Sequence, residues 1–326
     1  MQGCGKKKDL QFATPLTLKI PATFPNPVLF QNKELTVEGF ELGRRLFYDT
    51  RLSIDGSISC ASCHQQVAGF GTYDHDLSHG IGGEHGTRNA PTLFNLAWTN
   101  NYTWDGRYIK LQNVFAAHIN NRVEMGETVN GVVSKVKNSS VYPPLFKAAY
   151  GTEEINQEKL LNALAQFVGS LVSAETKYDS VKQNLASFTA NEQAGYIVFK
   201  NKCNTCHAEP LFTDYSYRNI GLPANLLLND KGRMGFTNNR NDSLKFRVPT
   251  LRNLYKSFPF MHDGRFFAFT QLFDHYQTGV QASFTLDPLL NGGIALLTAE
   301  KTVLLDFLKT LTDNNFTKNT AYSAPQ

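Results

Sequence analysis

Apolar side chains recur at the three- and four-residue spacing of an amphipathic helix in several stretches of the chain. The predicted helices run from Thr36 to about Tyr48, from Ile155 to Ser173, from Thr189 toward Cys203, and from Thr298 through Val303, Phe307, Leu308 and Leu311. Thr36, Thr189 and Thr298 are the predicted N-cap residues, because a threonine hydroxyl can accept a hydrogen bond from the first helical turn. The chain is therefore expected to be mainly α-helical.

The segments between these helices have the composition of loops. Residues 5–33 contain prolines at positions 15, 21, 25 and 27, which exclude a regular helix and predict an extended tether along the globular body. Glycine and polar residues dominate from Gln65 to Arg88, which predicts a long loop. The stretch from Ser180 to Thr189 is the expected junction between two halves.

A short pattern occurs once in each half of the chain. Pro91–Leu96 recurs as Pro249–Leu254, and Trp104–Arg107 recurs as His262–Arg265, with 14 residues from the proline to the aspartate in both copies. A shared interval of this kind indicates a duplicated unit. The predicted parts are an N-terminal tether at residues 1–33, a first domain at residues 34–187 and a second domain at residues 188–326.

Each half also contains a C-x-x-C-H run. The residues are Cys60, Cys63 and His64 in the first half, and Cys203, Cys206 and His207 in the second. This spacing is typical of c-type haem attachment, in which two thiols form thioethers to the porphyrin and the histidine binds iron. A zinc site would need further Cys or His ligands, and a redox pair would need a βαβ context; neither is present. We therefore predict two c-type cytochrome domains, related by internal duplication, with two covalently attached haems.

The face of each iron opposite its histidine needs a second candidate residue. The residue 13 positions after the aspartate of the repeat is His118 in the first copy and Tyr276 in the second. We expect these side chains to occupy corresponding distal positions. A tyrosine oxygen would stabilise ferric iron, whereas a thioether would raise the reduction potential, and Met261 is the rival ligand at the second site.

Composition bears on location and partners. Four of the five cysteines belong to the haem sites, so Cys4 has no intramolecular disulfide partner. Cys4 follows Gly3 in a short basic segment that resembles the end of a bacterial lipoprotein signal, which predicts a lipid anchor at Cys4. No run of 18 apolar residues is present, so no segment is expected to span a membrane. Because c-type haem is attached outside the bacterial cytoplasm, we expect the protein in the periplasm or at a cell surface. The net charge of +4 without a basic stripe gives no indication of nucleic-acid binding.

Together these motifs resemble the bacterial di-haem cytochrome c peroxidase family, which includes the MauG enzymes. The resemblance covers nearly all of residues 34–315. The matching segments are Leu42–Phe47, Leu52–Ser53, Cys60–His64, Arg88–Thr92, Trp104–Arg107, Val123–Gly126, Cys203–His207, Phe246–Asn253 and His262–Gly264.

The resemblance implies that the first haem reacts with peroxide and that the second transfers electrons. Glu124 matches the family's distal carboxylate, which can move a proton from the inner to the outer peroxide oxygen. Trp104 matches the aromatic residue that relays electrons between the haems. Asn89, with the backbone carbonyls of Ser257 and Pro259, matches an interdomain calcium site, for which oxygen ligands are suitable.

Three positions depart from the peroxidases that need reductive activation. Ile81 stands in the glycine-rich loop where those enzymes place a histidine ligand, with His79 and His85 nearby. If neither histidine reaches the iron, the first haem is open at rest. His118 replaces a proline that relatives often carry and can share the distal acid–base work. Tyr276 stands where peroxidases of the high-potential type carry methionine, as it does in MauG-like proteins.

The leading functional prediction is a periplasmic, lipid-anchored cytochrome c peroxidase. It would reduce hydrogen peroxide to water with electrons from a small cytochrome c or cupredoxin. One alternative is a MauG-like oxidase that modifies residues of a partner protein. Another is a non-enzymatic dihaem electron-transfer cytochrome. Relatives in this family commonly dimerise, so a homodimer is a further expectation.

Overall fold

The computed structural model describes residues 13–31 and 35–326. The chain folds mainly into α-helices, which confirms the predicted helical class. The helices are α1 (Val37–Tyr48), α2 (Cys60–Cys63), α3 (Leu111–Asn120), α4 (Val129–Lys137), α5 (Tyr142–Tyr150), α6 (Gln157–Gly169), α7 (Lys177–Lys182), α8 (Ala190–Lys202), α9 (Met234–Thr237), α10 (Phe269–Asp274), α11 (Thr298–Lys309) and α12 (Asn314–Lys318). Two short strands, β1 (Tyr217–Arg218) and β2 (Phe246–Arg247), pair antiparallel.

The first hydrophobic core forms around the crossing of α1 and α6. Gly43 of α1 lies against the backbone carbonyl of Ala163 in α6, and a β-carbon at position 43 would be 1.9 Å from that oxygen. Phe47 and Phe167 are fully buried beside the crossing, with their ring centroids 5.2 Å apart. A residue without a side chain is therefore needed for the two helices to approach this closely.

The second core repeats this arrangement with α8 and α11. Gly195 of α8 lies against the backbone carbonyl of Val303 in α11, where a β-carbon would again be 1.9 Å from the oxygen. Phe199 and Phe307 are fully buried next to it, with their ring centroids 5.1 Å apart. Each half thus has one close helix crossing that depends on one glycine.

Two of the predicted N-caps are confirmed. The hydroxyl of Thr36 accepts the N–H of Gly39 at the start of α1. Thr189 and Glu192 form a reciprocal capping box at the start of α8, in which each side chain accepts the backbone N–H of the other residue. As predicted, α8 ends directly before Cys203.

Two helix boundaries differ from the prediction. Thr298 is the first residue of α11, and the N-cap position belongs to Leu297, whose N–H donates to the carboxylate of Glu300. The prediction of Thr298 as the cap is therefore wrong by one residue. The helix predicted for Ile155–Ser173 is shorter at both ends: the side chain of Asn156 caps α6 by accepting the N–H of Lys159, and the helix ends at Gly169.

The two hydrophobic cores divide the chain before the predicted boundary at residues 187 and 188. The first core draws on residues from Phe40 to Leu171, and the second on residues from Tyr178 to Leu311. Phe316 of α12 packs back into the first core. Apart from Phe316, the residues of the first core end at Leu171, and those of the second core begin at Tyr178. The domain division itself stays a prediction.

Residues 13–31 follow an extended path without a helix, in keeping with their prolines. The indole Nε1–H of Trp98 donates to the carbonyl of Pro25 at 2.7 Å, and Phe24 packs edge-on against the same indole. The guanidinium of Arg252, from the second half, lies 4.8 Å from the centre of the Phe24 ring. This segment therefore contacts both halves of the chain.

The predicted anchor residue Cys4 lies outside the described residues. Among the helices in residues 13–31 and 35–326, none is long and apolar enough to cross a membrane.

Two asparagines of the repeat, Asn95 and Asn253, take part in a hydrogen-bond network at the boundary between the halves. Both adopt a left-handed backbone conformation, with φ of 57° and 55°. The side-chain oxygen of Asn95 accepts the N–H of Ser173 at 2.9 Å, and that of Asn253 accepts the N–H of Asp313 at 2.7 Å. The Ser173 hydroxyl donates to the Asp313 carboxylate at 3.0 Å and accepts from the Asn253 amide at 2.9 Å. All four side chains are buried, so the two halves meet at a polar network whose members are hydrogen-bonded inside the protein.

The glycine crossing of the second core gives a stability prediction. Replacing Gly195→Ala should lower the free energy of unfolding by about 2 kcal/mol, because the added methyl would overlap the carbonyl of Val303. Gly235→Ala is the matched control, since Gly235 also lies in a helix and a β-carbon there meets nothing within 4 Å. Thermal unfolding of the haem-loaded variants measures the difference. Equal melting temperatures for the two variants would contradict the close crossing.

Candidate functional site

His64 follows α2, and one backbone carbonyl orients its ring. Nδ1 lies 2.9 Å from the carbonyl oxygen of Phe70. A carbonyl can only accept, so Nδ1 carries the hydrogen and the lone pair of Nε2 is free to bind a metal. Burial lowers the pKa of His64 to about 4, which keeps the imidazole neutral at pH 7. The predicted proximal ligand is therefore in the required tautomer.

His207 has the same arrangement in the second half. Its Nδ1 lies 3.1 Å from the carbonyl of Pro249 and 3.3 Å from that of Phe212, which again leaves Nε2 as the ligand atom. Burial lowers the pKa of His207 as well. Phe212 and Phe70, which supply corresponding carbonyls, both have a left-handed backbone, with φ of 56° and 59°. The two histidines thus present the same nitrogen in the same protonation state.

None of the four cysteines of the C-x-x-C-H runs forms a disulfide in the part of the chain that the structure describes, so each sulfur is available to a porphyrin. Burial raises the pKa of Cys60 and Cys203 to about 12 and that of Cys63 to about 11. Burial also raises the pKa of Cys206. These side chains are therefore neutral thiols next to an imidazole with a free nitrogen, a donor set that fits a covalently attached haem at each run.

A large cavity beside His207 has the apolar wall that a porphyrin needs. Cys203 and Cys206 also face it. Its apolar lining includes Leu222, Leu251, Leu254, Phe273, Leu290, Ile294, Leu296, Leu304 and Leu308. The second attachment site therefore combines thiols, a ligand nitrogen and an apolar cavity.

His118 and Glu124 come together at the first site, as their predicted shared role requires. Nδ1 of His118, in α3, makes a short hydrogen bond to Oε2 of Glu124. Burial acts to lower the pKa of His118, but the hydrogen bond and the charge of Glu124 outweigh it and raise the pKa above its usual value. The charges of both residues also act on the pKa of His64, so the pair lies close to the first attachment site.

Ile81 holds the glycine-rich loop against the turn that carries Glu124. Its N–H donates to the carbonyl of Glu124 at 2.9 Å, and a β-carbon on Gly126 would be 2.3 Å from its Cδ1. His79 and His85 lie exposed at the surface, with their ring centroids 4.2 Å apart. Neither of these two rings hydrogen-bonds to another residue that the structure describes. The residue beside the Glu124 turn is therefore Ile81 and not a histidine.

Trp104 is fixed at two points between the halves. Its indole Nε1–H donates to the carbonyl of Asn89 at 2.9 Å, and its own carbonyl accepts the N–H of Arg247 in β2 at 2.7 Å. The N–H of Asn89 donates in turn to the carbonyl of His262 at 2.7 Å. The indole also lines the cavity beside His207, so a residue of the first half forms part of the wall of the second site.

Asn89, Ser257 and Pro259, the predicted calcium ligands, line this same cavity. Nδ2 of Asn89 donates to the carbonyl of Asp76 at 2.8 Å, which leaves Oδ1 as the atom available to a cation. Within residues 13–31 and 35–326, no group of three or more His, Cys, Asp or Glu side chains could hold a metal ion. A calcium ion here would depend on amide and backbone oxygens, and its presence stays a prediction.

Tyr276 and its rival Met261 both line the cavity beside His207. Tyr276 lies in a π-helical turn, His275–Gly279, that continues α10. Turns of this kind are rare and are frequent at functional sites. Burial raises the pKa of Tyr276, and its hydroxyl makes no hydrogen bond to any residue in the described part of the chain. Both candidate distal ligands are therefore present at the second site.

Arg88 joins the halves through ion pairs that were not predicted from the sequence. Its guanidinium donates to Asp105 of the first half at 2.7 Å and to both oxygens of Asp230 of the second half at 2.6 and 2.8 Å. Asp105 directly follows Trp104, and its side chain is fully buried. The only sequence signal for Arg88 is its place in the Arg88–Thr92 motif, and nothing in the sequence marks Asp230.

Comparison with known proteins identifies relatives over most of the chain. A sequence model of the di-haem cytochrome c peroxidase family matches residues 37–187. The methylamine utilization protein MauG of Methylorubrum extorquens is 34% identical over 301 residues, which span 89% of this chain and 82% of that protein. Cytochrome c551 peroxidase of Nitrosomonas europaea is 36% identical over 228 residues, which span 69% of this chain and 68% of that protein.

One solved structure is similar over the whole fold. It is a MauG-like protein associated with microbial copper homeostasis, with a TM-score of 0.85 and 29% sequence identity. The match covers 95% of this chain and 99% of that one.

The attachment cysteines and oriented histidines lead to a prediction about haem content. Cys203→Ser with Cys206→Ser should reduce covalently bound haem from two groups per chain to one, because the second porphyrin loses both thioether partners. Cys4→Ser is the matched control and should retain both haems. The pyridine haemochrome spectrum against protein concentration, with haem staining after denaturing electrophoresis, measures the content. A double variant that still carries two covalent haems would contradict the assignment.

Proposed function

The chain belongs to the family of di-haem cytochrome c peroxidases and MauG enzymes, and on that basis we propose that it reduces hydrogen peroxide to water with electrons from a small redox protein. The observation that carries this proposal is the hydrogen-bonded pair of His118 and Glu124 beside the first attachment site. A haem attached there would supply the iron at which peroxide is reduced.

The pair of His118 and Glu124 can carry the protons that peroxide reduction requires in addition to electrons. Reduction of one peroxide to two waters consumes two protons and two electrons. The carboxylate of Glu124 can take a proton from one peroxide oxygen and return it to the other. His118 orients that carboxylate, and its raised pKa favours a second proton on the same pair. A site that only transfers electrons has no need for two proton-carrying groups at this position.

Trp104 is suited to the relay of electrons between the two sites. Its indole N–H is held by a carbonyl of its own half, and its ring lies at the wall of the second cavity. A backbone carbonyl is not a base, so the indole would keep its proton while an electron passes. The ion pairs of Arg88 with Asp105 and Asp230 fix this segment against the second half.

Several further predictions belong to the same proposal. We infer that the two halves derive from one duplicated unit, which is supported by the matching glycine crossings, asparagine turns and histidine–carbonyl hydrogen bonds. The proposal also includes the domain division at residues 187 and 188, calcium at Asn89, Ser257 and Pro259, the lipid anchor at Cys4, a periplasmic location and a homodimer.

A MauG-like oxidase that modifies a partner protein is the second candidate. It is favoured by Tyr276, which lines the second cavity. A tyrosine oxygen on iron stabilises ferric and higher oxidation states, so Tyr276 would let the second site retain oxidising equivalents, whereas Met261 would favour ordinary electron transfer. A dihaem cytochrome without enzymatic activity is the third candidate and would require six-coordinate iron at both sites.

Substitution of the distal carboxylate tests the proposed activity. Glu124→Gln keeps the size of the side chain but cannot shuttle a proton, so the second-order rate constant with hydrogen peroxide should fall by about 10²–10⁴-fold. Glu127→Gln is the matched control, because Glu127 lies in the same turn and pairs with Lys135 at 2.7 Å. Stopped-flow mixing of the reduced, haem-loaded proteins with peroxide gives the rate constants.

Two results would count against the proposal. One is a Glu124→Gln variant that reacts at the wild-type rate. The other is a wild-type protein with both haems that does not react with peroxide, either as isolated or after reduction.

A further inference from the structure

The glycine-rich loop folds back on itself at residues 78–88, called here the 78–88 hairpin. The N–H of Gly86 donates to the carbonyl of Ser78 at 2.8 Å, which ties the two arms of the hairpin together. Next to this hydrogen bond, His79 and His85 are partners in an antiparallel bridge. Residues that are directly opposite in an antiparallel pair place their side chains on the same face. The backbone of the hairpin therefore sets two imidazoles side by side.

The rings of His79 and His85 are close together and have no other polar partner among the described residues. Their centroids are 4.2 Å apart, and the ring planes are inclined by 64°. Both side chains are exposed, so their nitrogens can be reached from the solvent. A metal–imidazole bond is about 2.0–2.1 Å long. Small rotations of two exposed side chains are therefore sufficient to bring one nitrogen of each ring to a common ion.

The charges along this part of the chain favour a cation. Residues 52–87 contain no lysine or arginine, but they contain four acidic residues, Asp55, Asp74, Asp76 and Glu84. Partial burial lowers the pKa of His79, and the charges of His75 and His85 lower it further, against the opposing charges of the neighbouring aspartates. The His79 ring is therefore neutral at pH 7 and retains a lone pair for a metal.

His75 lies beside this pair of histidines but already has a partner. Its ring centroid is 4.4 Å from that of His79, and its Nδ1 is hydrogen-bonded to Oδ1 of Asp74 at 2.5 Å. In the part of the chain that the structure describes, no three His, Cys, Asp or Glu side chains together could hold a metal ion. An ion at the hairpin would therefore have two protein ligands, and water would complete its coordination.

The arm of the hairpin that carries His79 is packed against the first attachment site. A β-carbon on Gly80 would be 1.9 Å from the carbonyl oxygen of Val123, in the turn that leads to Glu124. The carbonyl of His79 itself accepts from the thiol of Cys63 at 3.4 Å. An ion that joins the two arms of the hairpin would therefore also fix its contact with this turn.

We propose that His79 and His85 bind one divalent transition-metal ion of the class that prefers imidazole ligands, such as Cu²⁺, Ni²⁺ or Zn²⁺, and that this ion holds the two arms of the 78–88 hairpin together. Two nitrogen lone pairs replace two waters of the hydrated ion, and no electron is transferred. Ca²⁺ prefers oxygen ligands and does not fit this pair. The site is separate from both haem-attachment sites, and it does not depend on the proposed reaction with peroxide.

Isothermal titration calorimetry of the ferric, haem-loaded protein with Zn²⁺ measures the site. All proteins carry Cys4→Ser, so that this thiol does not compete for the ion. His79→Gln with His85→Gln removes both ligands. His75→Gln is the matched control, because it removes a histidine of the same loop whose ring is already bonded to Asp74. Titration with Ca²⁺ provides the reference for non-specific binding of a divalent cation.

We expect one Zn²⁺ per chain and a loss of affinity of at least about tenfold in the double variant, equivalent to about 1.4 kcal/mol. The His75→Gln control should bind Zn²⁺ as the wild type does. Electron paramagnetic resonance of the ferric protein with added Cu²⁺ should show a cupric signal coupled to two imidazole nitrogens. Zn²⁺ should slow amide hydrogen exchange in residues 78–88 of the wild type but not of the double variant.

Several results would overturn the proposal. They are unchanged Zn²⁺ affinity in the double variant, an equal loss of affinity in the His75→Gln control, and Ca²⁺ binding as tight as that of Zn²⁺. Hydrogen exchange that Zn²⁺ leaves unchanged in the wild type would contradict the effect on the hairpin. An altered ferric visible spectrum in the double variant would show that one of these histidines binds haem iron instead, and would also overturn the proposal.

Discussion

The hydrogen bond from Nδ1 of each proximal histidine to a backbone carbonyl is the constraint on which the rest of the site depends. It fixes the tautomer of His64 and His207, so that Nε2 is the ligand atom in both halves. Burial keeps both rings neutral, which a metal ligand requires. The carbonyl belongs to Phe70 for His64 and to Pro249 for His207, with the carbonyl of Phe212 slightly farther from the second ring; Phe70 and Phe212 both have a left-handed backbone.

The two halves share this proximal arrangement but differ on the opposite side. The first site has the hydrogen-bonded pair of His118 and Glu124, with Ile81 packed against the turn that carries Glu124. The second has Tyr276 and Met261 facing an apolar cavity. On our proposal, this difference gives the first site the groups for proton transfer at peroxide and leaves the second site to hold or pass on electrons.

Polar contacts inside the protein hold the two halves together. Arg88 pairs with aspartates of both halves, and one of these aspartates adjoins Trp104. Breaking a buried ion pair leaves an uncompensated charge, which costs about 3–5 kcal/mol. The network of Asn95, Ser173, Asn253 and Asp313 joins the two halves in a second place. Trp104, the proposed relay residue, is therefore held by contacts to both halves.

The local features of this structure could be predicted from the sequence. Attachment cysteines, proximal histidines and the threonine caps of α1 and α8 follow from short motifs, because their partners lie within a few residues. Leu297 as the cap of α11 was missed, since the stabilising contact there comes from the Glu300 side chain and not from a capping hydroxyl. Asp230 was missed because its partner Arg88 is 142 residues away, and no local pattern encodes such a contact.

The most direct test of the account is electron paramagnetic resonance of the resting ferric protein with both haems attached. The account predicts one high-spin signal from the open first site and one low-spin signal from the second site, without prior reduction. Tyr276→Phe should convert the low-spin signal to high-spin, whereas Met261→Leu should leave it unchanged. Two low-spin signals or two high-spin signals in the wild type would contradict the claim that the two sites differ in this way, whereas loss of the low-spin signal in Met261→Leu alone would identify Met261 in place of Tyr276 as the distal ligand.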